Sequence, residues 1–120
     1  MRTKLPDVIS AYVEASNNRV AERFATLFTR DAIVRDEGQK HRGVTAIKNW
    51  FSSTVTKYAF TLRPIRLSRS KEAEIVLTAK MTGDFPGSPI SARFHFVLDQ
   101  GKIAKLLSRS VLSAPPHATT

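Results

Sequence analysis

Two stretches in the second half of the chain alternate apolar and polar residues almost without interruption, and they restrict the fold more than any other feature. Ala73, Ile75, Leu77, Ala79 and Met81 interleave with Glu72, Glu74, Val76, Thr78 and Lys80, while Ile90, Ala92, Phe94, Phe96 and Leu98 interleave with Ser91, Arg93, His95 and Val97. A side-chain period of two marks a β-strand with one buried face. Between the two stretches, Gly83-Asp84-Phe85-Pro86-Gly87-Ser88-Pro89 is dense in residues that stop strands. Asp99-Gln100-Gly101-Lys102 makes the next hairpin, and a final strand is predicted from Ile103 to Leu112. Upstream, residues Tyr58 to Arg69 read as another strand whose apolar positions change phase, Phe60 and Leu62 being even and Ile65 and Leu67 odd. The slip falls at Pro64, which cannot donate to a ladder, so a bulge that bends the strand is expected there.

The first half carries a different period. Leu5, Ile9, Tyr12, Val13 and Ser16 trace one face of a helix predicted from Leu5 to Asn17, with Pro6 suited to its first position and Asp7 to the positive end of its dipole. Asn17-Asn18 ends it and caps a second helix, in which Val20, Ala21, Phe24, Leu27 and Phe28 recur at helical spacing as far as Thr29-Arg30-Asp31. Ile33-Val34 then deliver Asp36 and Glu37 to the tip of a turn, where Gly38 allows the reversal and Gly43 hands the chain to a third helix. Val44, Ile47, Phe51, Val55 and Tyr58 give that helix about fourteen residues, with Trp50 beside the apolar stripe. Helix, helix, short hairpin, helix and four long antiparallel strands make an α+β arrangement, with the helices covering one face of a curved sheet.

Length and composition bound the rest. With 120 residues and 42% apolar content, the chain suits one domain over residues 1–112, followed by a tail at 113–120 whose Pro115 and Pro116 and lack of periodicity predict mobility. No apolar run approaches the roughly 20 residues that span a membrane, and Met1 to Asp7 lacks the apolar core of a signal peptide, so a soluble, cytoplasmic protein with no membrane contact is expected. The absence of cysteine removes disulfides and thiolate chemistry, and the histidines at 41, 95 and 117 show no metal-ligand spacing, so no metal is expected. The net charge of +9 is distributed from Arg2 to Arg109 with no run longer than two. Nucleic acid is therefore not the expected partner. Under the strand phases above, Arg63, Lys80 and Arg93 share the outer sheet face as the one concentrated basic patch.

A carboxylate held at a hairpin tip between helices and sheet is the natural centre of a site. Asp36 points either into a cavity or to water, paired with Arg35 or Arg42, and Glu37 faces the other way unless the strand bulges. Tyr12 points inward, either as a core residue or as a hydrogen-bond donor to a cavity. Phe24 and Phe28 pack the core or form a pocket wall. His41, five residues from Asp36 across the hairpin, either protonates or orients a ligand or lies on the rim; Trp50 caps the cavity or packs under the hairpin.

Several motifs together carry a resemblance: Phe28-Thr-Arg-Asp-Ala-Ile-Val-Arg-Asp-Glu-Gly, His41-Arg42-Gly43 followed by Ala46-Ile47 and Trp50, the turn from Gly83 to Pro89, and Gly101-Lys102-Ile103. To about Leu112 the chain resembles the cone-shaped fold shared by nuclear transport factor 2, ketosteroid isomerases and SnoaL-like polyketide cyclases. The resemblance implies three N-terminal helices packed on a curved, mostly antiparallel sheet, a pocket for an apolar small-molecule ligand, no cofactor, and a homodimer through the outer sheet face. It places Asp36 where the family's carboxylate removes a proton α to a carbonyl, and Tyr12 where the isomerases donate a hydrogen bond to the enolate oxygen. The protonated aspartate of the isomerases would fall near Phe94, and their supporting tyrosines are replaced by Phe28 and Phe51. A site of Asp36, Tyr12 and His41, walled by Phe24, Phe28, Trp50, Phe51, Phe94 and Phe96, is the resulting expectation. The same fold also hosts non-catalytic binding proteins.

Overall fold

The computed structural model describes residues 6–36, 38–69 and 74–110. The expectations placed on Leu5, Glu37, Glu72, Ala73, Leu112 and the tail at 113–120 lie outside the described residues.

Helix α1 spans Asp7–Asn17 and buries Ile9, Tyr12, Val13 and Ser16 along the predicted face. Pro6 sits one position before the helix rather than in its first turn, and its carbonyl accepts the Ser10 amide at 2.9 Å. At the other end, Asn17 clamps the sheet: Nδ2 donates to the Leu62 carbonyl at 2.9 Å and Oδ1 accepts the Leu62 amide at 2.7 Å.

Helix α2 is only Ala21–Ala25, and the expected continuation to Asp31 does not form. The Thr26 hydroxyl donates back to the Arg23 carbonyl at 2.7 Å, and the Leu27 carbonyl accepts the Ile103 amide at 2.9 Å. The chain is thereby drawn into the sheet, and Phe28 opens strand β1 (Phe28–Asp36) instead of closing a helix. The following residues include Thr29, Ile33 and Val34, whose branched Cβ atoms suit a strand better than a further helical turn. Val20, expected on the buried face, precedes α2 and is 42% exposed.

Strand β2 (Gln39–Arg42) returns from the Gly38 turn and leads into α3 (Val44–Tyr58), close to the predicted length. Strands β3 (Thr61–Arg69), β4 (Ile75–Thr82), β5 (Ile90–Asp99) and β6 (Lys102–Ser110) form the four-stranded antiparallel meander. The register shifts between Pro64 and Arg66, where proline predicted a bulge. Gln100 and Gly101 take φ of 52° and 82° in the β5–β6 turn, the left-handed conformations of a tight hairpin. The six strands order as β2-β1-β6-β5-β4-β3, and β1 lies parallel to β6, so the sheet is mixed.

One face of the sheet sends Val34, Leu77, Ala79, Phe94, Phe96 and Leu106 under the helices, where they are buried with Ile9, Phe24, Ile47 and Phe51. Full burial of such a side chain contributes roughly 1.5–3 kcal/mol. The opposite face alternates with it and mixes exposed Arg42, Arg66 and Lys105 with the half-buried apolar residues Ile33, Val76, Val97 and Leu107.

Candidate functional site

A cavity of about 290 Å³ lies between α1, α3 and the inner face of the sheet. Helix α1 contributes Tyr12 and Ser16, and α3 contributes Trp50, Phe51, Thr54 and Tyr58. The floor comes from the sheet through Asp36, Met81, Ile90, Ala92, Phe94 and Ser108, with Phe60 just ahead of β3. Phe85 and Pro86 close it from the β4–β5 loop. That loop is tied to the end of α3, because the Asp84 amide donates to the Tyr58 carbonyl at 2.7 Å and the Phe85 ring meets Tyr58 edge-on at 6.0 Å. Gly83 permits this approach: a Cβ there would stand 2.6 Å from the Tyr58 carbonyl oxygen.

Asp36 reaches the cavity by simple alternation. Ala32 and Val34 are fully buried on the inner face, and the next step of two places Asp36 on the same side. Its neighbours in register are Gln39 on β2 and Ser108 on β6. Trp50 Nε1 donates to Asp36 Oδ2 at 3.0 Å, fixing the carboxylate from the helical side. The indole is held in turn by Phe24, with ring centres 6.2 Å apart, and by the His41 imidazole at 5.6 Å. Helix α3 starts where it does because Gly43, at φ 88°, donates its amide to the Ala32 carbonyl at 2.9 Å and turns the chain upward.

Tyr12 lines the cavity from α1 with its ring packed against Phe24 and, on the sheet, Phe96, at 5.1 Å each, and Phe94 at 6.0 Å. Burial pushes the phenol above its ordinary range, and the negative charge of Asp36 pushes it further. Both effects keep the hydroxyl protonated, as a hydrogen-bond donor must be.

Of the residues expected at the site, Asp36, Tyr12, Trp50, Phe51 and Phe94 line one cavity. Phe24, Phe28 and Phe96 do not line it, a correction to their expected place in the wall. Phe24 stacks on Phe51 at 3.9 Å and 12°, and touches Tyr12, Phe28 and Trp50, so these rings fill the layer behind the cavity. His41 is likewise outside the lining: it lies opposite Val34 on β2 and packs beside Trp50. It buttresses the tryptophan.

The sequence reading missed Ser16, Thr54 and Ser108 as polar lining, and Phe85 and Pro86 as the closing apolar edge. Ser16 was on the predicted inner face of α1, and its 1% exposure is the polar exception in that core. Ser108 gave no usable signal. Counting by two from Ile103 sends it outward, but the register with β5 shifts between Val97 and Leu98, leaving Ala104 as the extra residue and reversing the phase.

The arrangement is one carboxylate, several hydroxyl groups and an indole N–H in a chamber otherwise lined by apolar side chains. It suits a small molecule with one polar edge. Among the described residues, no group of three His, Asp or Glu side chains is placed to hold a metal ion. No helix among them is long and apolar enough to cross a membrane.

Known structures share this architecture. A candidate polyketide cyclase from Sinorhizobium meliloti superposes with a TM-score of 0.82 at 30% identity, over 88% of this chain and 95% of that one. A protein of ketosteroid isomerase-like fold from Catenulispora acidiphila, solved with trimethylamine, gives 0.80 at 18% identity over 92% and 90%. An NTF2-like protein from Cytophaga hutchinsonii gives 0.72 at 15% identity over 99% and 98%. Among curated proteins, none matches the chain. The SnoaL-like domain family matches residues 9–106, and the α+β fold with its mixed six-stranded sheet agrees, so the chain belongs to the SnoaL-like domain family.

Proposed function

We propose that this protein is a cofactor-independent isomerase- or cyclase-type enzyme that acts on an apolar carbonyl compound. Asp36 is the base that removes or shuttles a proton α to the carbonyl, and Tyr12 donates to the oxygen on which charge develops. The observation that carries the reading is a carboxylate aimed into a largely apolar chamber and fixed there by Trp50. A base held in place avoids reorganisation at the moment of transfer, and a phenol that keeps its proton can stabilise an enolate. The apolar end formed by Phe85, Pro86 and Ile90 would receive the ligand's hydrocarbon part.

The test works without the natural substrate in hand. A panel of apolar ketones and diketones is incubated with the protein in D2O, and α-deuteration is followed by NMR. Exchange catalysed by the wild type and lowered at least about 100-fold in Asp36→Asn supports the assignment, a loss within the range of general acid–base catalysis. Equal exchange in the variant removes Asp36 from the chemistry.

A second reading is non-catalytic binding of an organic cation. It is favoured by the lone carboxylate among the aromatic rings of Tyr12, Trp50 and Phe94, a combination that attracts ammonium groups, and the Catenulispora relative was solved with trimethylamine. Calorimetry with trimethylamine separates the two: tight, Asp36-dependent binding without any ketone exchange supports the second.

A further inference from the structure

The cavity lining holds more hydroxyl groups than that of Tyr12, and the fold commits some of the available protons elsewhere. The Trp50 N–H is spent on Asp36 at 3.0 Å, and the Thr54 hydroxyl donates to the Trp50 carbonyl at 2.8 Å, so Thr54 presents only lone pairs to a ligand. Tyr12, Ser16, Tyr58 and Ser108 differ: among the described residues, none of these four hydroxyls has a hydrogen-bond partner. No side-chain oxygen of the described residues is sealed from solvent without a partner, so each of the four opens on the cavity it lines.

Place in the fold sorts them. Ser108 on β6 stands between Asp36 on β1 and Phe94 on β5, opposite each in register, so the three side chains form one row across adjacent strands on the inner face. Neighbouring strands lie about 4.8 Å apart, which keeps Ser108 beside the base. The Tyr12 ring lies 6.0 Å from Phe94, the next member of that row, and the charge of Asp36 acts on its phenol. Phe94 itself has no proton to give. Ser16 is one helical turn beyond Tyr12, towards Asn17, which is bonded to Leu62 on β3 at the sheet edge away from β1. Tyr58 lies two turns beyond Trp50, roughly 12 Å along α3. Among the described residues, Tyr12 and Ser108 are thus the unbonded donors that can meet at an atom held over Asp36.

We infer that Ser108 is a second catalytic donor, which with Tyr12 holds the oxygen of the substrate carbonyl while Asp36 takes the α proton. This assignment rests on the isomerase- or cyclase-type reading of the site. In the step, the C–H electron pair becomes the C=C bond of the enolate, the carbonyl π pair moves onto oxygen, and the proton goes to the Asp36 carboxylate. Return of that proton to carbon reverses the electron flow and restores the charged Asp36. The developing oxyanion has lone pairs for two donors, and a hydroxyl that is already unbonded gives up no partner to serve it. Tyr12 approaches from the helical side and Ser108 from the sheet, so the oxygen is held between the two layers. A carbonyl held against Ser108 brings its α carbon to the carboxylate on the neighbouring strand.

The experiment follows α-deuterium exchange of the ketone panel by NMR in the wild type, Ser108→Ala, Ser108→Thr and Asp36→Asn, at limiting and saturating ketone and across the pH range in which carboxylates titrate. Ser108→Ala should lower kcat at least about tenfold, with KM changed less than about threefold, because the lost bond forms fully only in the transition state. Ser108→Thr keeps the hydroxyl and should retain at least about a third of kcat. If the alanine variant fails to fold by circular dichroism, Ser108→Cys, similar in shape but a weak donor, should show the same loss. An unchanged kcat, or a rise in KM alone, would overturn the assignment. So would a displaced acid limb of the pH profile with its plateau intact, since Ser108 would then only tune Asp36. Loss of exchange in Asp36→Asn beside an indifferent Ser108→Ala would remove Ser108 alone. Full exchange in Asp36→Asn, or none in the wild type, would overturn the reading of the site and Ser108 with it.

Discussion

Trp50 Nε1 and Asp36 Oδ2 are joined by a 3.0 Å hydrogen bond that links the middle of α3 to the end of β1. Strand alternation puts Asp36 on the inner face, and the bond holds the carboxylate there, because without it the side chain at a strand end is free to turn to water. It also makes the chain's single tryptophan a partner of its candidate base.

Trp50→Phe keeps an aromatic ring between Phe24 and His41 but removes the donor. A half-buried bond to a charged acceptor is worth roughly 1–2 kcal/mol, so the urea midpoint should fall modestly. Ketone exchange should fall by at least about tenfold, the loss expected when a base is misplaced by a fraction of an ångström. Loss of stability with unchanged exchange would show that the bond only packs the hairpin.

Tyr12 supplies a pH prediction with a definite sign. Its phenol is raised in the folded protein, first by burial and then by Asp36. The folded state therefore holds the proton that the unfolded chain releases above about pH 10. The stability from this group is fully present below that pH and declines as pH rises above it. Melting curves of the wild type and Tyr12→Phe between pH 8 and 11 should differ by a constant up to about pH 10, after which the variant should gain on the wild type. A constant difference throughout would contradict burial of a protonated phenol.

Gly83→Ala places a methyl group 2.6 Å from the Tyr58 carbonyl oxygen and 2.9 Å from Phe60 Cα, both backbone atoms. Backbone cannot step aside as a flexible side chain can. Forced displacement typically costs about 1–3 kcal/mol. The Phe85-Pro86 edge should swing off the cavity, seen as faster proteolysis in the β4–β5 loop and a lower melting temperature.

Asn17→Ala removes both bonds to Leu62 and leaves a backbone amide and carbonyl to find water beside the core. A loss of roughly 1–3 kcal/mol is expected in urea denaturation. Asn17→Asp, which can still accept from the Leu62 amide but cannot donate, should lie between the two.

The parts of the fold legible in the sequence are those whose period is repeated locally. Strands β4 and β5 show their buried faces because every second side chain obeys one rule, and Pro64 announces the bulge because it lacks a donor. The first part of strand β1 was hidden, since its helix-like spacing through Phe28 is overruled by parallel pairing with β6, a partner far along the chain, whereas the end at Ile33-Val34 was expected as a hairpin strand. At the site, the sequence brought Asp36 to a hairpin tip but left open whether it faced a cavity or water, because the Trp50 donor that fixes it stands on another element. The aromatic residues were harder, because an apolar side chain facing inward has the same pattern whether it lines a void or fills one. Only the stacking of Phe24 on Phe51 separates the packed layer from the open one.

The pairing of Asp36 with Ser108 has a consequence for biosynthesis. As the chain leaves the ribosome, helices α1 to α3 and the meander up to β5 can gather early, yet the edge of β1 that awaits β6 stays open until the last described segment has emerged. The chamber is therefore finished only when β6 docks, and a product cut before Lys102 would expose a sticky strand border in its place.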